Sequence, residues 1–113
     1  MIVWSEKLYI GSQAEKHVKK VQKKLKNDKV VLGFFLITRP SNSNNLFDIL
    51  PTAELLFPYY KQQELLVYGL AKGKEEAENL VVSILEDVYR ETDGLCCKEY
   101  FERRTSNPPS SKV

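Results

Sequence analysis

The amino-acid sequence predicts an α/β (α+β) single domain, a mixed β-sheet with two main helices in the order β-α-β-(β/α)-β-α-(β). Leu65 to Glu91, LLVYGLAKGKEEAENLVVSILEDVYRE, reads as a buried strand, a glycine-punctuated turn and an amphipathic helix. In the helical part Ala77, Leu80, Val81, Ile84, Leu85 and Val88 fall at i, i+3, i+4, i+7, i+8 and i+11, one apolar stripe at the helical period. Lys29 to Thr38, KVVLGFFLIT, is apolar almost throughout rather than alternating, as in a strand covered on both faces. Residues 13–26 carry a narrower stripe, Ala14, Val18, Val21 and Leu25, in a segment otherwise rich in lysine.

Leu8-Tyr9-Ile10 is a short first strand, with Ile2-Val3-Trp4 as its backward extension. Gly11 breaks it, and Ser12-Gln13-Ala14-Glu15 has the form of a capping box, in which the Ser12 hydroxyl accepts from the Glu15 amide while the Glu15 carboxylate reaches back. The helix that follows closes at Asn27-Asp28. Beyond the apolar strand, Arg39 to Asn45 is a polar loop of turn-formers. Leu46 to Leu50 fits either a returning strand or one helical turn. Thr52 is placed to cap a short helix through Phe57, which Pro58 ends. Thr92-Asp93-Gly94 stops the long helix. Leu95 to Phe101 is a candidate last strand, closing a domain of residues 1–101. Residues 102–113, with two adjacent prolines and no apolar residue before the terminal valine, read as a disordered tail. The simplest template is a ferredoxin-like β-α-β-β-α-β arrangement with 39–63 as a long insertion. Its second strand lies at a sheet edge, where residues 30–37 are too apolar unless the insertion or a second subunit covers them.

A chain of 113 residues with 42% hydrophobic and 28% charged residues has the size and composition of one globular domain. No apolar run approaches the roughly 18 residues of a membrane span. MIVWSEKLYIG lacks a basic stretch followed by an apolar one, so a cytoplasmic location is expected. The net charge of +2 is unevenly spread: nine Lys/Arg against three carboxylates in residues 1–40, and four against ten in residues 41–94. Opposite charge on different segments points to partners rather than to fold.

Each chemical motif has a plainer reading beside it. Lys16, Lys19, Lys20 and Lys23, with Lys24, Lys26 and His17, cover much of the first helix and make a candidate basic surface for an acidic protein partner or nucleic acid. Arginine is absent from this helix, and no aromatic residue lies between the lysines to stack on bases, so nucleic acid fits less well. The plainer reading is a solvated face whose lysine stems shield the apolar stripe. Gly69 to Lys74 resembles a phosphate-binding loop, but the glycines are one residue too close for a Walker A loop and Glu75 replaces its hydroxyl residue. No cofactor is expected there. Adjacent Cys96 and Cys97 with the single His17 do not make up a metal site. Arg39, Asn42, Asn45, Asp48, Tyr59 and Tyr60 surround the loop after the apolar strand and form the candidate ligand or partner site, with Asn44, Glu54 and Lys72 near it in the reading.

No spacing specifies a catalytic set. The sequence is therefore read as a small non-catalytic binding or regulatory module, expected to be a homodimer. The segment 46–60 holds more apolar side chains than its own structure absorbs, and Phe57 and Tyr59 are the expected dimer contacts. Two alternatives are a nucleic-acid-binding protein using the helix 13–26, and a small-molecule-binding domain or enzyme with a site around 39–60.

Overall fold

The computed structural model describes residues 2–40 and 47–92. The expected last strand at 95–101, the tail at 102–113, the cysteine pair, Asn42, Asn44 and Asn45 lie outside the described residues.

The first strand, β1, runs from Ile2 to Ile10, the longer of its two expected extents. A 3-10 turn at Glu15–His17 leads into α1, Val18–Lys26. The helix ends as Asn27-Asp28 suggested. Asp28 takes φ 58, its amide donates to the Leu25 carbonyl at 3.2 Å and the Lys29 amide to the Lys24 carbonyl at 2.8 Å. That is a Schellman ending, which normally recruits glycine for its left-handed position.

The second strand begins later than its apolar run. β2 spans Phe34–Thr38. Val30 and Leu32, 53% and 72% exposed, lie outside it, while Val31 between them is buried. Gly33, at φ 84, breaks the extended backbone there. Residues 46–50 resolve as a strand in their described part: β3, Asp48–Pro51. A 3-10 turn at Thr52–Leu56 and the short α2, Pro58–Lys61, follow, then β4, Leu65–Lys72, and α3, Lys74–Thr92. The expected short helix ends before Pro58, as the 3-10 turn with Phe57 at its end, and Pro58 also starts the next helix, in keeping with its fixed φ and missing N–H at a first helical position. Thr52 does not cap the turn. Its buried hydroxyl lies 2.7 Å from the Val31 carbonyl and 3.0 Å from that of Phe34, tying the turn to the start of β2.

The four strands form one mixed sheet in the order β1-β4-β2-β3. β2 is antiparallel to both neighbours, with Leu36 opposite Leu70 on one side and Leu50 on the other. The insertion therefore covers the apolar edge of β2 from within the chain. The described elements do not follow the ferredoxin-like template: β1 runs parallel to β4, with Ile2 opposite Leu65, where the template alternates strand direction, and α1 and α3 pack on opposite faces of the sheet, where the template puts both helices on one.

Both faces of the sheet are covered. Ile37, Tyr68 and Ala71 point to α3 and meet Ala77, Leu80, Ile84 and Val88. Leu36, Val67 and Leu70 point the other way, to Val21 and Leu25 of α1 and Leu55 of the 3-10 turn. Successive residues of β2 and β4 feed opposite layers, so neither strand shows polar alternation. The apolar stripe of α3 is buried as its spacing predicts, with Val81 and Leu85 at its margins. A polar contact joins α3 to the sheet edge: the Tyr9 hydroxyl donates to Asp87 Oδ2 at 2.7 Å, and Arg90 pairs with the other carboxylate oxygen. The Tyr9 bond is the largest influence holding the Asp87 carboxyl below its usual range; partial burial opposes it, and Arg90 and Lys7 add to it. Among the described residues, no helix is long and apolar enough to cross a membrane.

Two outcomes follow. Ile84, fully buried in mid-stripe, should lose about 2–5 kcal/mol on change to alanine, read from urea melts. A carboxylate with a lowered folded pKa stabilises above its unfolded pKa, and that contribution fades as pH falls through the folded value. Stability should therefore drop from about pH 5 downward partly through Asp87, and Tyr9→Phe should flatten that drop in thermal melts taken across the acid range.

Candidate functional site

The geometry of β2 builds a small pocket at its C-terminal end. Because β2 is antiparallel to both neighbours, its C-terminal end meets the beginnings of β3 and β4. Thr38 pairs with Asp48 across one side, and the Arg39 amide donates to the Leu66 carbonyl at 3.0 Å across the other. The short helix α2 then lays Tyr59 and Tyr60 over this end. Their rings meet edge to face with centroids 5.0 Å apart. The result is a cavity of about 170 Å³ lined by Arg39, Asp48, Tyr59, Tyr60, Gln63 and Glu64, with Leu50 and Leu65 beneath.

Four of the six residues singled out in the sequence, Arg39, Asp48, Tyr59 and Tyr60, thus share one pocket. Lys72 does not join them. It pairs with Phe34 at the opposite end of the sheet, because β4 runs against β2. Glu54 lies on the 3-10 turn and does not line the pocket. Gln63 and Glu64 were not signalled in the sequence. They precede an apolar strand whose direction the sequence does not declare, and that direction brings them to Arg39.

Arg39, Tyr59 and Glu64 are exposed at the rim, whereas Asp48, Tyr60 and Gln63 are half-buried. Among the described residues the Arg39 guanidinium has no ion pair. A guanidinium presents a planar fork of donors suited to a carboxylate or phosphate. Asp48 and Glu64 accept from donors, and the two phenols offer ring faces and hydroxyls. The pocket thus carries both signs of charge around a small volume.

The glycine turn before α3 carries a different arrangement. The Glu76 carboxylate accepts from the Lys72 amide through Oε1 and from the Gln13 amide through Oε2, each at 2.6 Å, and from the Ser12 hydroxyl at 3.4 Å. Amides that would serve a bound phosphate are engaged by the protein's own carboxylate, against a phosphate cradle. The capping box at Ser12 does not form. The residue preceding the first turn is Ala14, without a side-chain cap, and Ser12 turns to Glu76, sixty-four positions away. Gly11 leaves room for this clasp, because a Cβ there would stand 2.4 Å from the Glu76 side chain, which would have to shift.

Lys16, Lys19, Lys20 and Lys23 are exposed, as the basic-surface reading requires. His17 does not belong to that surface. It is half-buried, its ring edge-on to Phe34 with centroids 5.6 Å apart. Phe57 and Tyr59, the expected dimer contacts, are 56% and 63% exposed, while Leu50 and Leu55 of the same segment are buried within the chain. Among the described residues no cluster of His, Cys, Asp and Glu has the makings of a metal site. Comparison with protein-family models, curated proteins and solved structures finds no match to this chain.

Proposed function

We propose that this chain is a non-catalytic intracellular binding module whose ligand occupies the pocket at the end of β2. The supporting observation is the convergence of Arg39, Asp48, Tyr59 and Tyr60, drawn from three separate segments, on one small cavity. A ligand of matching chemistry is small and polar and carries an anionic group for Arg39. The cavity wall contains groups that hold such a ligand and, among the described residues, no serine, cysteine or histidine to attack it. The module self-associates through the side chains the 46–60 segment leaves outside, Phe57 and Tyr59 foremost, since exposed aromatics of this kind commonly anchor interfaces.

Thermal melts against a panel of small carboxylates, phosphates and amino acids test the pocket. At least one compound should stabilise the protein, by about 2.7 kcal/mol when present at a hundredfold excess over its dissociation constant. Arg39→Gln should abolish that gain and leave the unliganded melt nearly unchanged. A panel without effect, or a gain that survives Arg39→Gln, would show the pocket is not the site. Sedimentation equilibrium at micromolar concentration tests self-association: a species of 13.1 kDa would sink it, and a dimer that persists in both Phe57→Asp and Tyr59→Asp would place the interface elsewhere.

A further inference from the structure

We propose that the groove between α1 and the outer edge of β1 binds an extended acidic segment of a partner polypeptide, added as a strand beside Ile2–Trp4. This surface is separate from the pocket at the end of β2 and shares no residue with it. β1 stands at the end of the sheet order, bonded only to β4 among the described residues. Ile2, Val3 and Trp4 keep a regular register with β4, and the irregularity of β1 comes only after Trp4. An outer edge of this kind presents backbone donors and acceptors to another chain.

Beside that edge lies a groove of about 740 Å³, floored by Ile2, Trp4 and Leu25 and walled by Lys23, Lys26 and Asp28. Trp4 is only half-buried, so an aromatic surface lies at the edge with lysines beside it. Asp28 is already turned towards Lys61, at 3.9 Å. Lys23 and Lys26 have no ion pair among the described residues. The same helix and the 3-10 turn before it carry four more lysines, Lys16, Lys19, Lys20 and Lys24, and no carboxylate lies among them after Glu15.

These features select one class of occupant. Edge pairing supplies the backbone contacts and asks for an extended segment. The lysines ask for carboxylates, and in a strand alternate side chains share one face, so glutamates at alternate positions reach Lys23 and Lys26 while their methylenes cover Trp4. A nucleic acid fits this groove less well: Asp28 on the wall opposes a continuous run of phosphates, and a phosphate backbone gains nothing from a strand edge.

Trp4 is the only tryptophan in the chain, so intrinsic fluorescence reports on this groove directly. A short acetylated peptide in which glutamate alternates with valine, titrated into the full chain, should shift Trp4 emission to shorter wavelength with saturation, less tightly as salt rises. Lys23→Glu with Lys26→Glu should weaken binding about tenfold or more, whereas Lys16→Glu with Lys19→Glu, which lie outside the groove, should weaken it much less. Of two peptides N-methylated at alternate residues, one for each edge of the strand, only one should lose binding. No emission shift, equal loss in both lysine pairs, equal loss with both methylated peptides, or equally tight binding by a lysine–valine peptide would each overturn the proposal. Duplex DNA that shifts Trp4 emission as strongly would overturn it in favour of a general polyanion surface.

Discussion

The antiparallel pairing of β2 with β4 is the constraint on which the rest of the molecule depends. Both strands lie inside the sheet, and each is covered on two faces, so their side chains supply both apolar layers. The register places Leu36 opposite Leu70 toward one layer and Ile37 opposite Gly69 toward the other. A slip of one residue would exchange the two sets and leave each layer with side chains shaped for the other. Backbone bonds just outside the ladder hold it at both ends: Arg39 to Leu66 at one, Gly73 to Gly33 at the other, with the two glycines in left-handed conformation.

The same pairing determines where chemistry collects. Strand ends that are far apart in the chain are brought together because β2 opposes both neighbours, and the pocket at Arg39 is the product. At the other end, α3 begins directly after β4, and its first turn reaches the loop that follows β1. There Glu76 unites Lys72, Ser12 and Gln13. That clasp steadies β1, whose one pairing among the described residues is the parallel one with β4. Tyr9 and Asp87 add a second tie between β1 and α3.

Placing α1 and α3 on opposite faces of the sheet also separates charge. The lysines of α1 emerge on one side, while Glu75, Glu78, Glu86 and Glu91 of α3 are exposed on the other. An uneven charge in the linear chain thus becomes a polarised surface, a property that guides association more than it stabilises the fold. On the basic side the edge of β1 and a half-buried tryptophan add shape to charge.

The α/β class was legible in the sequence because periodicity is a local property. The stripe from Ala77 to Val88 requires only that one face of a helix be buried, and the apolar residues that lead up to Thr38 only that both faces of a strand be covered, which holds from Phe34 onward. That Arg39, Asp48, Tyr59 and Tyr60 lie near one another was legible for a similar reason, since polar turn-formers and tyrosines flank the end of one strand in the chain. Pairing partners were not legible. Whether the insertion or another subunit covers β2, which way β1 runs beside β4, and why Lys72 lies far from Arg39 all depend on strand neighbours remote in the chain. Capping was misread on the same ground: Ser12 and Thr52 had suitable local partners, yet Glu76 and the Val31 carbonyl took them once folding brought them within reach. The sequence by itself determined which faces had to be buried, because burial is dictated by each residue's own hydrophobicity. Tertiary structure alone decided which polar groups meet, because a hydrogen bond requires two partners and the chain does not say where the second one is.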